Sequence, residues 1–524
     1  MFYYGAAYYP EHRDPVKWEY DLDLMQKAHI NALRVGEFAW KRFEPSNGKY
    51  DFSWLDNFIE KAYYRGIRIL LCPPMRTVPS WLALSHKDMF IIDYEGRRLE
   101  FGSRYTFCIN HPLLREKAFA LAEKMANHYK NNPAIMGWHL DNEYGDEPDC
   151  HCTLCTNVWH EWLKKRYSNI SSLNYAWGNV FWGLEYNSFE QIPTPAFTKA
   201  PHNPAHILNW RRFRSDCTVQ TIAAHAKTIR KAGAVQPVTT NFQALWNPRT
   251  NYFDAATHLD VCGTNYYPPY GSYCPETSFA LSALRSYKNK NFYIHELRSG
   301  SHTIPGEVAT PTPGEVMKLG FHVIANGADG IFFFRWRQCP FGCEQTHGSV
   351  TGFDGQPTRI YHEVAELGEK IRKLEPFLED TIIKSSVAIL YDFQTRWLME
   401  LNNRWAGPVN LYMDRCRLLY TTLRLHGINV DTVGKNSDFT KYKLIVVPFL
   451  SAVDDKTINS ITEFVNNGGT ILWHPLSGTK NTEACFFPDR LHPALIKLFG
   501  IKIEDFISCD KNCLLYTSPS PRDS

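Results

Sequence analysis

No leader is visible at the start of the sequence. Met1 runs directly into "FYYGAAYYP", with no basic start and no apolar stretch behind it, so a secretory signal is not expected. Nor is any apolar run long enough to cross a bilayer as a helix. Charge of one sign is also missing: 57 Lys and Arg face 54 Asp and Glu, a net +3. That balance argues against a nucleic acid or a membrane surface held through bulk charge. The one basic run, Lys164-Lys165-Arg166, reads as the solvated face of a helix. A cytoplasmic globular protein is the expectation, with its 14 cysteines reduced rather than paired.

What is present is length, aromatic content and a regular alternation. At 524 residues the chain exceeds one ordinary domain. Its 15 Trp, 28 Tyr and 32 Phe supply core and also ring faces suited to sugars. Eight β-rich runs alternate with helical patterns: 2–9, 31–38, 67–74, 135–143, 238–243, 261–267, 292–297 and 330–336. They are near-continuously apolar, as strands covered on both faces must be. Eight such units predict a (β/α)8 TIM barrel over 1–380. A smaller open-sheet α/β domain is expected over 385–510, with strands at 386–392, 443–450 and 469–475 and helices at 410–427 and 454–469. It has neither a nucleophile elbow nor a phosphate loop. The last twelve residues, 513–524, lack periodicity and read as a non-native tail.

In a TIM barrel the chemistry gathers where strands end. Two carboxylates stand there, Glu143 in "WHLDNEYG" and Glu296 in "YIHELRSG". Strands four and seven face each other across the mouth, so the two can meet as a protonated acid and an ionised nucleophile. Asn142 suits a sugar hydroxyl. Arg34 and Arg104 could keep the nucleophile charged, or simply form salt bridges. Cys150, Cys152 and Cys155 follow in the same loop. Three soft ligands need a fourth to close a tetrahedral zinc site, and Cys108, after the third strand, is the best candidate, with His151 as an alternative. Four thiolates leave no open position, which makes the zinc structural.

The segments "GAAYYPEH" (5–12), "NALRVGEFAW" (31–40), "GWHLDNEYG" (137–145), "CHCTLC" (150–155), "LNYAWGNVFW" (173–182), "GADGIFFFRWRQ" (327–338) and "CEQTHG" (343–348) resemble glycoside hydrolase family 42, the β-galactosidases. The resemblance implies a retaining β-galactosidase, with Glu143 as acid/base and Glu296 as nucleophile. It places galactose contacts on Arg104, Asn142, Tyr266, Phe334, Glu344 and His347, and offers Trp182 as an aromatic wall. It also implies a four-cysteine zinc site, a homotrimer assembled through the second domain, and a C-terminal β domain apparently missing from this chain. One departure is visible: "ELRSGSHTIPG" (296–306) has no Trp after the nucleophile, which leaves the pocket floor and the preferred aglycone open. The other readings are a (β/α)8 glycosidase acting on arabinosides or fucosides, and a catalytically silent sugar-binding protein.

Overall fold

The computed structural model describes residues 1–268, 275–304, 307–401, 411–474 and 476–506. The suspected tail, 513–524, lies outside them. The larger sheet is a barrel built from β1 (Tyr3–Ala7), β2 (Ala32–Val35), β3 (Arg68–Leu71), β4 (Ile135–His139), β5 in two pieces (Val238–Thr239 and Asn241–Phe242), β6 (Gly263–Tyr266), β7 (Phe292–Arg298) and β8 (Ala328–Phe334). Neighbours are parallel throughout, and β1 pairs with both β2 and β8. The ring closes through β5: its first piece pairs with β4 at Trp138↔Val238, its second with β6 at Asn241↔Gly263. Between the pieces, the Thr240 hydroxyl donates to the Leu140 carbonyl at 2.7 Å.

All eight predicted strands are there, buried along almost their whole length. The helices cover them with the faces the spacing predicted. Trp18, Leu22 and Met25 are buried on Trp18–Lys27, as are Ala118, Leu121, Ala122, Met125 and Tyr129 on Pro112–Tyr129. Gly263 shows how closely β6 and β7 pack, because a Cβ there would sit 1.9 Å from the His295 ring. One predicted end is corrected. Residues 135–143 read as a single strand, but β4 stops at His139, and Glu143 sits in the loop beyond it.

The second sheet holds β9 (Val387–Leu390), β10 (Val430–Val433), β11 (Leu444–Val447) and β12 (Thr470–Trp473), all parallel, in the order β10-β9-β11-β12. β10 is an addition to the three strands read from the sequence. Period-two alternation splits β9 between two cores. Val387 and Ile389 join the core that fills the barrel and its helices, while Ala388 and Leu390 face a separate core with Ile445, Val447 and Ile458. Arg285, on the helix before β7, holds buried Asp431 of β10 at 2.7 Å and so ties the second sheet to the barrel.

Candidate active site and metal centre

Glu296 lies in β7 itself, where a register shift between Thr264/Ile294 and Asn265/Glu296 re-aims the strand. Its carboxylate is almost wholly buried and held from two sides. Arg34 of β2 donates to Oε1 at 2.7 Å, and the Tyr267 hydroxyl donates to Oε2 at 2.6 Å.

Glu143 reaches the same space from the loop after β4. Asp141 and Glu143 have φ of +45° and +50°, a region L-residues with side chains rarely adopt. Strain of this kind costs about 1–3 kcal/mol per residue and persists only where its surroundings enforce it. The enforcing group is Arg76, fully buried between the rings of Tyr105 and Tyr144. It donates to Asp141 Oδ2 at 2.6 Å, and also to Glu147 and the Asn142 carbonyl. Asn241 then fixes the Glu143 backbone by accepting from Glu143 N at 2.8 Å.

Two amides join the carboxyl groups. Asn265 donates to Glu143 Oε1 at 2.8 Å, and Asn241 donates to Asn265 Oδ1 at 3.1 Å while lying 3.4 Å from Glu296 Oε1. The pair therefore converges at the barrel mouth, as strands four and seven suggested. Their environments differ. Burial first, then repulsion from Glu296, pushes the Glu143 carboxyl up to about 7, against the opposing pull of Arg104. A carboxyl that keeps its proton beside an ion-paired carboxylate is the division of labour that acid-assisted displacement needs.

The other predicted residues fall in two groups. Arg104 stands 3.8 Å from Glu143 and 3.7 Å from Glu344. Asn142 donates to the Tyr105 hydroxyl at 2.6 Å. His347 packs edge-on against Phe334, with ring centroids 5.3 Å apart. These surround the pair. Tyr266 does not. Its hydroxyl donates to the Thr277 carbonyl and its ring stacks on His322, in the helix layer, while Tyr267 takes the place at Glu296. Trp182 does not meet the pair within the chain either. It is 67% exposed and lines a cavity with Trp177, Phe181, Leu184, Arg211 and Glu483.

Tyr267, Asn265, Asn241 and Tyr105 were missed. The signal was available for the asparagines: each is an amide inside a predicted strand, "TTNF" and "GTNYY". The loop after Glu296 docks on the "CEQTHG" segment, where Gly348 N donates to the Ser301 carbonyl at 2.7 Å. Residues 305 and 306 of the Trp-less stretch lie outside the described residues.

Cys108, Cys150, Cys152 and Cys155 are all buried, with their sulfurs within 4.8 Å of one another. Contacts of 3.3 Å (Cys108–Cys155) and 3.9 Å (Cys152–Cys108) bracket the spacing of about 3.8 Å that a tetrahedral ion with 2.3 Å thiolate bonds imposes. The set can hold a metal ion. His151 is not part of it, since its Nδ1 bonds Thr194 and its ring stacks on Trp210. A chain of ion pairs connects this centre to the loop that carries Glu143. Asp149 pairs with Arg214, Arg214 reaches Glu147 at 3.9 Å, and Glu147 pairs with Arg76.

Comparison with known proteins agrees with this architecture. A family profile described as beta-galactosidase matches residues 7–374, and one described as beta-galactosidase trimerisation domain matches 385–515. The chain is 35% identical to the beta-galactosidase bgaB of Geobacillus kaustophilus, over 96% of this chain and 75% of that one. It is 30% identical to GanA of Bacillus subtilis, over 95% and 76%. Among solved structures, the beta-galactosidase of Bacillus circulans sp. alkalophilus superposes with a TM-score of 0.92 at 29% identity, covering 98% of this chain and 76% of that one. Gan42B of G. stearothermophilus, solved as a catalytic mutant, gives 0.93 at 29%, covering 98% and 77%. A closed barrel with two converging carboxyl groups, matched by that profile over most of its length, belongs to the β-galactosidases of glycoside hydrolase family 42.

Proposed function

We propose that Glu143 and Glu296 carry out the double displacement by which this glycoside hydrolase, a retaining β-galactosidase, releases terminal β-D-galactose. The observation that carries the assignment is their opposite surroundings: Glu143 buried and kept protonated, Glu296 ion-paired with Arg34. Protonated Glu143 gives its proton to the glycosidic oxygen as a Glu296 oxygen attacks the anomeric carbon. The bond to the aglycone breaks and a galactosyl ester forms. Glu143, now a carboxylate, takes a proton from water, which attacks the anomeric carbon and frees galactose and Glu296. Arg104, Asn142, Glu344, His347 and Phe334 ring the pair and are assigned to the sugar, with Tyr267 in the role the sequence gave to Tyr266. Rates on a panel of nitrophenyl glycosides test the substrate. The reading requires the galactoside to be fastest, and a faster arabinoside or fucoside refutes it.

The four cysteines are assigned to a structural zinc. The zinc would hold the loop that carries Glu143 and leave no position for chemistry. Eleven cysteines are free among the described residues, which suits a reducing compartment, here read as the cytoplasm. No described helix is long and apolar enough to cross a membrane. The trimerisation-domain match over 385–515 supports a homotrimer, with the barrel assigned to 1–380 and the assembly domain to 385–510. A mass from light scattering at one or two chains instead of three refutes that assignment.

A further inference from the structure

The double displacement uses two carboxyl groups, yet a third lies against the same arginine. Glu37 follows Arg34 by three positions in "RVGEF". Gly36 between them has φ +96° and little room for a side chain, a Cβ there standing 3.1 Å from Cys72 O and from the Phe43 ring. The chain can therefore turn and bring Glu37 back onto Arg34. Arg34 Nη2 stands 2.7 Å from Glu37 Oε2 and 2.7 Å from Glu296 Oε1, with the arginine side chain 0% exposed. The Tyr9 hydroxyl donates to the other oxygen of Glu37.

Charge bookkeeping along the reaction gives this arrangement a purpose. When Glu296 becomes an ester it loses its negative charge. Arg34 cannot turn to water, and a buried cation left without a partner costs several kcal/mol. We propose that Glu37 is a positioning residue, the counterion that remains with Arg34 while Glu296 is esterified and that shares Arg34 with Glu296 beforehand, so that the nucleophile is not held too tightly to attack. The inference rests on the double displacement set out above.

The groups facing Glu37 come from several elements. They are Tyr9 and Glu11 after β1, Arg34 on β2, Cys72 after β3, Arg104 in the next loop and Glu296 on β7. Burial pushes the Glu37 carboxyl up to about 7; Arg34 opposes the rise and Glu296 adds to it. The Glu296 contribution vanishes on esterification, so Glu37 is most firmly ionised when Arg34 has no other partner.

The test uses the full chain and an activated 2-deoxy-2-fluorogalactoside, which separates formation of the galactosyl-enzyme from its breakdown. In Glu37→Gln the lone Arg34 overstabilises ionised Glu296 and destabilises the ester. Trapping should slow about tenfold while reactivation of the trapped enzyme accelerates, and the acid limb of kcat/KM should move down by about one pH unit. Glu37→Asp should restore part of each change. Tyr9→Phe, which leaves all three charges in place, should move the same quantities less, and it reads out the proposal should Glu37→Gln fail to fold. Trapping and reactivation slowing together, or an unmoved acid limb, overturns the proposal. Wild-type enzyme that is not trapped at all overturns the double displacement itself, a separate and recognisable result.

Discussion

Tyr267 donates its hydroxyl to Glu296 Oε2 at 2.6 Å, while Tyr266, one residue earlier, donates to the Thr277 carbonyl in the helix layer. The neighbours therefore have separable roles. Tyr267→Phe should lower kcat/KM about tenfold with the fold intact, the usual weight of a hydrogen bond to a charged group. Tyr266→Phe should cost about 1 kcal/mol of stability and leave kcat nearly unchanged. Steady-state kinetics and thermal melts on both variants check the pair, and a larger kinetic loss in Tyr266→Phe reverses the assignment.

Glu143→Ala should discriminate among leaving groups. Poor leaving groups need the proton, so their hydrolysis should fall about a thousandfold. A dinitrophenyl galactoside leaves without help, so the step that forms its galactosyl-enzyme should persist. Added azide should then attack the intermediate and raise turnover. Equal losses on both substrates remove Glu143 from the acid role.

The raised Glu143 carboxyl should set the alkaline side of the pH profile. Activity on unactivated galactosides should fall as pH rises through about 7, where Glu143 loses its proton. Arg104 opposes that rise. Arg104→Met should therefore move the alkaline limb to higher pH even as substrate affinity drops, and a shift to lower pH contradicts the electrostatics.

The barrel was legible because its strands are apolar runs closed by polar residues, and the candidate metal site because three of its four cysteines, Cys150, Cys152 and Cys155, lie within six positions. What escaped depended on distant partners. β10 reads "VDTV", with a charge inside a strand of four, and its Asp431 is buried by pairing with Arg285, far away in sequence. Tyr266 and Tyr267 are adjacent, and what separates them is their partners, the Thr277 carbonyl for one and Glu296 for the other, both distant in sequence. The strand expected to end at Glu143 stops four residues early, since Asp141 and Glu143 take a left-handed backbone held by the buried Arg76 cluster and by Asn241. Trp182 matched by motif alone, and nothing local to it fixed its direction.

Glu11 tests the cost of buried carboxyls. Neither of its oxygens finds a hydrogen-bond partner of normal geometry, and burial pushes the group up to about 7. Its folded-state value lies above the unfolded one, near 4.5. Below that lower value the group is protonated in both states and costs nothing through ionisation. Between the two values the folded state holds the extra proton, so stability falls as pH rises, by up to about 3 kcal/mol above pH 7. Glu11→Gln should raise the Tm at pH 8 and leave it nearly unchanged at pH 4. Equal shifts at both pH values refute an ionisation cost.

Metal removal should act on the fold first. Cys108→Ser, or prolonged chelation, should lower the Tm and loosen the Asp141–Cys155 loop, with kcat falling as Glu143 loses its support through Arg214, Glu147 and Arg76. Elemental analysis should find about one zinc per chain. Full stability and activity without metal contradict the staple.

The double displacement requires that Glu296 form the bond to galactose. Incubation with a 2-deoxy-2-fluorogalactoside, followed by proteolysis and mass spectrometry, measures this directly. The label is expected on the peptide containing "FYIHELR" (292–298), at Glu296, and on no peptide in Glu296→Ala. A label on any other carboxylate, Glu37 and Glu143 included, contradicts it.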